Sequence, residues 1–199
     1  KIVTELYDDI WANFDKEMIK EAYKLLKTRL KRNEIPLKIL KNKKVLDMGC
    51  GSGRYSIALK KLGAKKVIGM DFGEGKKLKY KGVQYVNGSA LKLPFEDNSF
   101  DFVFCNGVLH HTTDPIKGIK EMYRVLKQDG QMLFCEHGKA DDDHIAQWQN
   151  RLNPIWKHIA GGCNLNRDIP GLIKNSGFKI KSIDMAYMSN FRLISFNYQ

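Results

Sequence analysis

From residue 44 onward, short apolar runs alternate with amphipathic stretches, and this alternation narrows the fold more than any other feature. KVLDMGC (44–50), KVIGMD (66–71), VQYVNG (83–88), FDFVFCNG (100–107) and QMLFCEH (131–137) have strand character. A helix is predicted from Arg54 to Leu62, closed by Gly63, and another over 114–127 with Pro115 in its first turn. Strands alternating with helices imply right-handed crossovers and a mostly parallel sheet covered by helices on both faces. Such sheets bind ligands at the carboxyl ends of their strands, where strand order reverses. Chemistry is therefore expected at Asp47–Gly53, Asp71–Phe72, Gly88–Ala90, Asn106–His111 and Glu136–Gly138.

The flanks are also patterned. Residues 1–42 form a helical lead: Tyr7, Trp11 and Phe14, then Met18, Ala22, Leu25 and Leu26, recur at helical spacing before a polar break near Asn42. Helices are expected at about 141–159 and 168–176, the second capped by Asn166 or Asp168. FKIKSIDMAY (178–187) and FRLISFNY (191–198) form a closing hairpin. No repeat or linker divides the chain. One domain over 1–199 is expected, with 139–166 as a helical insertion on the substrate side.

The net charge of +12 raises nucleic acid as a partner. The lysines are spread along the whole chain, without an RGG tract or an aromatic-interleaved basic run, so a solvated basic surface is the simpler reading. Cys50, Cys105, Cys135 and Cys163 form no CxxC pair and are read as reduced cytoplasmic thiols, neither a disulfide frame nor a zinc site. No run approaches the length of a membrane span and no signal peptide is visible. The chain opens on Lys1 instead of Met, so a trimmed N-terminus is expected.

At VLDMGCGSG (45–53) an acid is followed by Gly49, Gly51 and Gly53. The glycines let the chain turn sharply and bring bare N–H groups against a ligand, with the next helix adding its positive end. The spacing is GxGxG and lacks the third glycine of a dinucleotide fingerprint, and no GK[ST] of a P-loop follows. The second strand ends in Asp71, whose carboxylate can accept hydrogen bonds from ribose hydroxyls. Together they describe a site for a nucleoside.

DMGCGSG with Asp71, GSALKLPFEDNSFDFVFCNGVLHH and RVLKQDGQMLF resemble, over about 44–138, the small-molecule branch of the class I S-adenosylmethionine-dependent methyltransferases. The resemblance implies an α/β, Rossmann-like, doubly wound sheet of seven strands in the order 3-2-1-4-5-7-6, with strand 7 antiparallel. It implies S-adenosylmethionine as cofactor and S-adenosylhomocysteine as product. Asp47, Gly49, Gly51 and Gly53 would hold the methionine part, Asp71 the ribose, and Phe72 the adenine. Ser89 stands where the family often has an acid for the adenine amino group. Cys50, Ala90, Asn106 and Val108 complete the cofactor set at the strand ends.

Residues 144–168 resemble the methyltransferase-like 7 thiol methyltransferases and their bacterial relatives, through Trp148, Gln149, Pro154, Trp156, Gly162, Cys163, Leu165 and Arg167, together with Glu136 and His137. A small-molecule acceptor, a thiol among the candidates, follows from that likeness. In-line methyl transfer needs alignment and exclusion of water, and an acceptor that carries a proton needs a base of near-neutral pKa. His111 and His137 are the catalytic candidates, with His110 beside them and Glu136 to orient His137 or act as a base itself. Tyr7, Trp11, Trp148, Trp156 and Cys163 are the substrate-side candidates. No metal is expected, because the histidines lack ligand spacing.

Three other readings compete. An RNA or other macromolecule methyltransferase draws on the charge, but Asn106-Gly107-Val108-Leu109 lacks the motif used on base nitrogens. A non-catalytic cofactor-binding scaffold draws on Ser89 and on a short lysine-rich helix expected over Glu74–Lys81. A nicotinamide-dependent dehydrogenase fails on the glycine spacing.

Overall fold

A computed structural model of the chain describes residues 16–74, 77–184 and 192–197. Tyr7, Trp11 and Phe14 lie outside them. Strands β1 (Lys44–Met48), β2 (Lys66–Asp71), β3 (Val83–Asn87), β4 (Phe100–Asn106), β5 (Leu126–Glu136), β6 (Lys179–Asp184) and β7 (Arg192–Asn197) form one sheet in the order β3-β2-β1-β4-β5-β7-β6. The first five are parallel to one another, and β7 runs antiparallel to both β5 and β6.

Both sheet faces are apolar, as expected for parallel strands covered on each side. Side chains alternate between two layers. Val45, Phe102, Phe104 and Leu133 face helix α1 (Lys16–Arg32), through Ala22, Leu26 and Leu30, and helix α2 (Arg54–Lys61), through Tyr55, Ala58 and Leu59. Leu46, Met48, Val103 and Phe134 face helix α3 (Pro115–Val125), through Ile119, Met122 and Val125, and helix α5 (Ile169–Lys174), through Ile169 and Ile173. Helix α4 (Asp143–Ile159) lies between β5 and α5 in sequence and buries little: Ala146 is its buried residue.

Boundaries shift where packing overrides local pattern. The helix expected over 114–127 ends at Val125 because Leu126 is buried and pairs with Phe100 as the first residue of β5. The expected helix over Glu74–Lys81 does not form among the described residues. Residues 77–80 are instead held to the glycine loop, Leu78 N–H donating to Ser52 O and Lys77 Nζ to Gly51 O. The KKLKYK run there has no apolar stripe to bury, and its like charges disfavour a helix. Asn42 takes a left-handed φ of 62°, which turns the chain into β1 at the expected break.

Candidate active site

β1, β2 and β4 end at one edge, and a cavity of about 380 Å³ opens there, a size suited to a small ligand. Of the sequence-derived residues, Gly49, Gly51, Asp71, Phe72, Ser89, Ala90, Asn106, Val108 and His111 line it. Met70, Gly88, Leu91, Gly107, Thr112 and Thr113 line it too. Those flanking the strand ends were within reach of the topology argument. Leu91, Thr112 and Thr113 come from the loops beyond and left no signal in the sequence.

The glycine loop works differently from the expectation. Its N–H groups are used inside the protein: Gly49 and Cys50 donate to Met70 O, Gly51 to Asp71 Oδ2 at 2.7 Å, and Gly53 to Cys50 O. These four N–H groups are therefore engaged within the protein. Gly49, at φ 72°, lies under Val108, and a Cβ there would stand 2.2 Å from Val108 Cγ2. Gly53, at φ 92°, lies under the Tyr85 hydroxyl, 2.0 Å from a Cβ. These two glycines admit neighbouring protein side chains. Of the three, Gly51 and Gly49 also bring bare backbone to the cavity.

Asp47, Cys50 and Gly53 do not line the cavity. Asp47 is buried beneath it and accepts a hydrogen bond from Ser56 Oγ at 2.6 Å. Burial pushes its carboxyl up to about 7, against the Ser56 bond. Asp71 is set by the turn it faces, Oδ2 accepting from Gly51 N–H and Oδ1 from Gly73 N–H. Each oxygen keeps a lone pair for a ribose hydroxyl. Phe72 is 56% exposed beside it, an open ring for a base to cover. Ser89 Oγ accepts from Leu91 N–H, which caps its own turn. At the far wall, Asn106 Oδ1 accepts from Arg29 of α1, which also donates to the Tyr55 hydroxyl. These groups fit a nucleoside with an aliphatic tail.

The histidines cluster at the ends of β4 and β5. The His110 ring lies 4.0 Å from that of His111 and 3.7 Å from that of His137, centroid to centroid. His111 lines the cavity; His137 does not. His111 Nδ1 faces Gly161 O at 3.1 Å, which fixes the proton on Nδ1 and makes Nε2 the proton-accepting nitrogen. Burial, and then the charge of His110, lower both His111 and His137 to about 4. They are neutral at pH 7 and weaker bases than the near-neutral group expected.

Glu136 has a different task from the one expected. Its carboxylate accepts from the N–H groups of Val108, Leu109 and His110, and from His110 Nδ1. It orients His110, not His137, and caps the turn that carries both adjacent histidines. His137 Nε2 instead meets Cys163 Sγ at 2.7 Å.

The loop after α4 is tied across this edge. Arg167 Nη1 and Nη2 donate to Leu109 O and Thr112 O, and Asn164 donates to His110 O. Gln149 clamps the start of the segment, accepting from Ala140 N–H and donating to Gly138 O. Trp148 and Trp156, expected at a substrate pocket, are 59% and 40% exposed on α4 and do not line the cavity. Cys163 is buried beside His137 and lies outside the cavity lining, its thiol raised by burial. The residues missed by sequence reasoning are Arg29 and Asn164; Arg167 was singled out there, without the clamp it forms. His110, Cys163 and His137 also bring their ligand atoms within 4.8 Å of one another.

Among known proteins, a family described as a methyltransferase domain matches residues 46–134. The uncharacterized methyltransferase YcgJ of Bacillus subtilis is 34% identical over 120 residues, 56% of this chain and 47% of that protein. The solved structure of YcgJ superposes with a TM-score of 0.61 at 19% identity, covering 89% of this chain and 96% of that one. A demethylmenaquinone methyltransferase of Listeria welshimeri is 28% identical over 168 residues, 79% of this chain and 70% of that protein. Thiol S-methyltransferase TMT1B of Rattus norvegicus is 36% identical over 96 residues, 48% of this chain and 39% of that protein. The chain thus spans about half, or less, of the length of two of these relatives. No helix of the described residues is long and apolar enough to cross a membrane. Over residues 46–134 the chain is therefore similar to a methyltransferase domain.

Proposed function

We propose that the chain transfers a methyl group from S-adenosylmethionine to a small thiol. The observation that carries this reading is the engagement of Glu136. Its carboxylate is occupied by three backbone N–H groups and the His110 ring, so the acceptor side of the cavity is served by imidazole rather than by a carboxylate base. A thiol, with a pKa of about 8.5, needs the least help to ionise, whereas an aliphatic hydroxyl needs a strong base. The likeness to TMT1B, a thiol methyltransferase, supports the same choice. The likeness to a demethylmenaquinone methyltransferase supports a rival acceptor, the carbon of a quinone ring.

When bound, S-adenosylmethionine supplies an electrophilic methyl carbon on a sulfonium. Asp71 accepts from the ribose hydroxyls, Phe72 covers the base, and Gly49 and Gly51 give the methionine end room against the backbone. Asp47, buried beneath the cavity, supplies negative charge toward that end once it ionises near pH 7. His111 Nε2 holds the acceptor's proton. The loop tied down by Arg167 and Asn164 keeps water from the transfer. Four buried, unpaired thiols suit a reducing compartment, and the cytoplasm is the working location.

The test uses methyl-labelled S-adenosylmethionine and cell extract split into small molecules and macromolecules. Label is expected in the small fraction, and capping the extract's thiols beforehand is expected to abolish it. Label in quinone lipid, RNA or protein would overturn the thiol reading.

A further inference from the structure

Three segments far apart in sequence converge behind His111. His110 sits in the short turn after β4, His137 just past the end of β5, and Cys163 in the loop after α4. Their ligand atoms lie within 4.8 Å of one another, with His137 Nε2 and Cys163 Sγ at 2.7 Å and the two histidine rings tilted at 44°, centroids 3.7 Å apart. His110 and Cys163 are buried.

We propose that His110, His137 and Cys163 form a site for a divalent metal of the zinc type, whose fourth ligand is the acceptor's sulfur. The donor set of two imidazoles and one thiolate suits zinc and excludes magnesium and calcium, which take oxygen ligands. Metal–nitrogen and metal–sulfur distances of about 2.0 and 2.3 Å place tetrahedral ligand atoms about 3.3–3.6 Å apart. His137 Nε2 and Cys163 Sγ stand 2.7 Å apart and all three ligand atoms lie within 4.8 Å, so closure needs the first pair to part by about 1 Å. Cys163 follows Gly161 and Gly162, both at positive φ, a turn that brings its thiol to His137.

The surroundings fit a ligand set. A metal-bound histidine commonly donates its second ring N–H to a carboxylate. Glu136 accepts from His110 Nδ1, which leaves Nε2 as the coordinating nitrogen. Glu136 is itself held by backbone N–H groups, so the orientation is fixed.

The fourth position rests on the thiol reading above. A thiol bound to the metal gives up its proton to His111 Nε2, and the metal-held thiolate then attacks the methyl carbon. The new carbon–sulfur bond forms as the sulfonium's carbon–sulfur bond breaks, and the leaving sulfur keeps that electron pair as a neutral thioether. No redox partner is needed.

The test strips the full chain with a chelator and titrates it with cobalt(II), which reports tetrahedral geometry and sulfur ligation through its absorption. One cobalt per chain, with a sulfur-to-metal charge-transfer band, is expected. Cys163→Ser should lose the band and His137→Gln should weaken cobalt binding at least tenfold. Retained S-adenosylmethionine binding by calorimetry would show both variants folded. A second thiol, 2-mercaptoethanol, should strengthen the charge-transfer band. Absence of cobalt binding at micromolar concentration, or a band that survives Cys163→Ser, overturns the site. A cobalt spectrum indifferent to added thiol overturns the fourth ligand while the protein site stands. Full-rate methyl transfer to thiols by the stripped chain overturns the metal's role while the thiol acceptor stands.

Discussion

The Glu136 carboxylate lies 2.5 Å from His110 Nδ1, with side-chain exposures of 0% and 3%. Around it converge the N–H groups of Val108 and Leu109 at 2.8 and 3.0 Å. Burial alone would raise the carboxyl, but His110 and these N–H groups hold it below the usual glutamate range. A depressed acid gives stability that is present above its unfolded pKa and is lost as pH falls through the folded one. Glu136→Gln turns part of this acceptor set into donors facing donors. It should cost about 3 kcal/mol, read as a lowered urea midpoint at pH 7. An unchanged midpoint would mean that the carboxylate does not organise the turn.

Asp47 gives the opposite sign. Its folded pKa of about 7, raised by burial, lies above the ordinary aspartate value. Its contribution is fully present below about pH 4 and is lost as pH rises toward 7. Asp47→Asn removes that dependence. The variant should gain about 2–3 kcal/mol over the parent between pH 5 and pH 8, at about 1.4 kcal/mol per pH unit over the titrating range. Its affinity for S-adenosylmethionine should fall, measured by calorimetry at pH 8. Equal stability differences at both pH values would show that Asp47 ionises normally.

Gly49 and Val108 are coupled by contact. Gly49→Ala should destabilise by about 3 kcal/mol, because its Cβ would stand 2.2 Å from Val108 Cγ2 at a φ of 72°. Val108→Ala removes both γ-methyl groups and should recover the steric part, leaving about 1–2 kcal/mol of backbone cost. A double-mutant cycle reads the coupling as the difference. Additive losses would place the cost in the backbone alone.

Asp71 accepts from the glycine loop at Gly51 N–H and, in the proposed function, meets the ribose of the cofactor. Asp71→Asn keeps one acceptor oxygen and loses the charge. It should weaken S-adenosylmethionine binding about tenfold to a hundredfold, the effect of about 1.5–3 kcal/mol for a hydrogen bond to a charged group. Calorimetry at fixed ionic strength checks it. Unchanged affinity would put the ribose elsewhere.

The strands and the helices between them were legible because short continuous apolar runs and helical stripes are local signals. β1 and β2 fall at their expected positions, and α1 presents Ala22, Leu26 and Leu30 at helical spacing. The cavity was legible to the extent that topology sends strand ends to one edge. What local pattern cannot carry is the partner of each group. Nothing near Gly49 announces Val108, 59 residues on, and nothing near Glu136 announces the turn it caps. The loop's N–H groups looked outward in sequence but are consumed by Met70 and Asp71. The tryptophans at 148 and 156 gave an apolar signal that the fold leaves on the surface. His110, His137 and Cys163 lack ligand spacing because tertiary structure, not periodicity, brings them together.

Transfer itself is the most direct measurement. The full chain, methyl-labelled S-adenosylmethionine and a panel of small thiols, alcohols and a quinone precursor would be incubated, and the labelled product identified by mass spectrometry. The account predicts a thioether from the thiols alone, with turnover reduced at least tenfold in Asp71→Asn at subsaturating cofactor. Label entering only the alcohols, the quinone precursor or a macromolecule would contradict it.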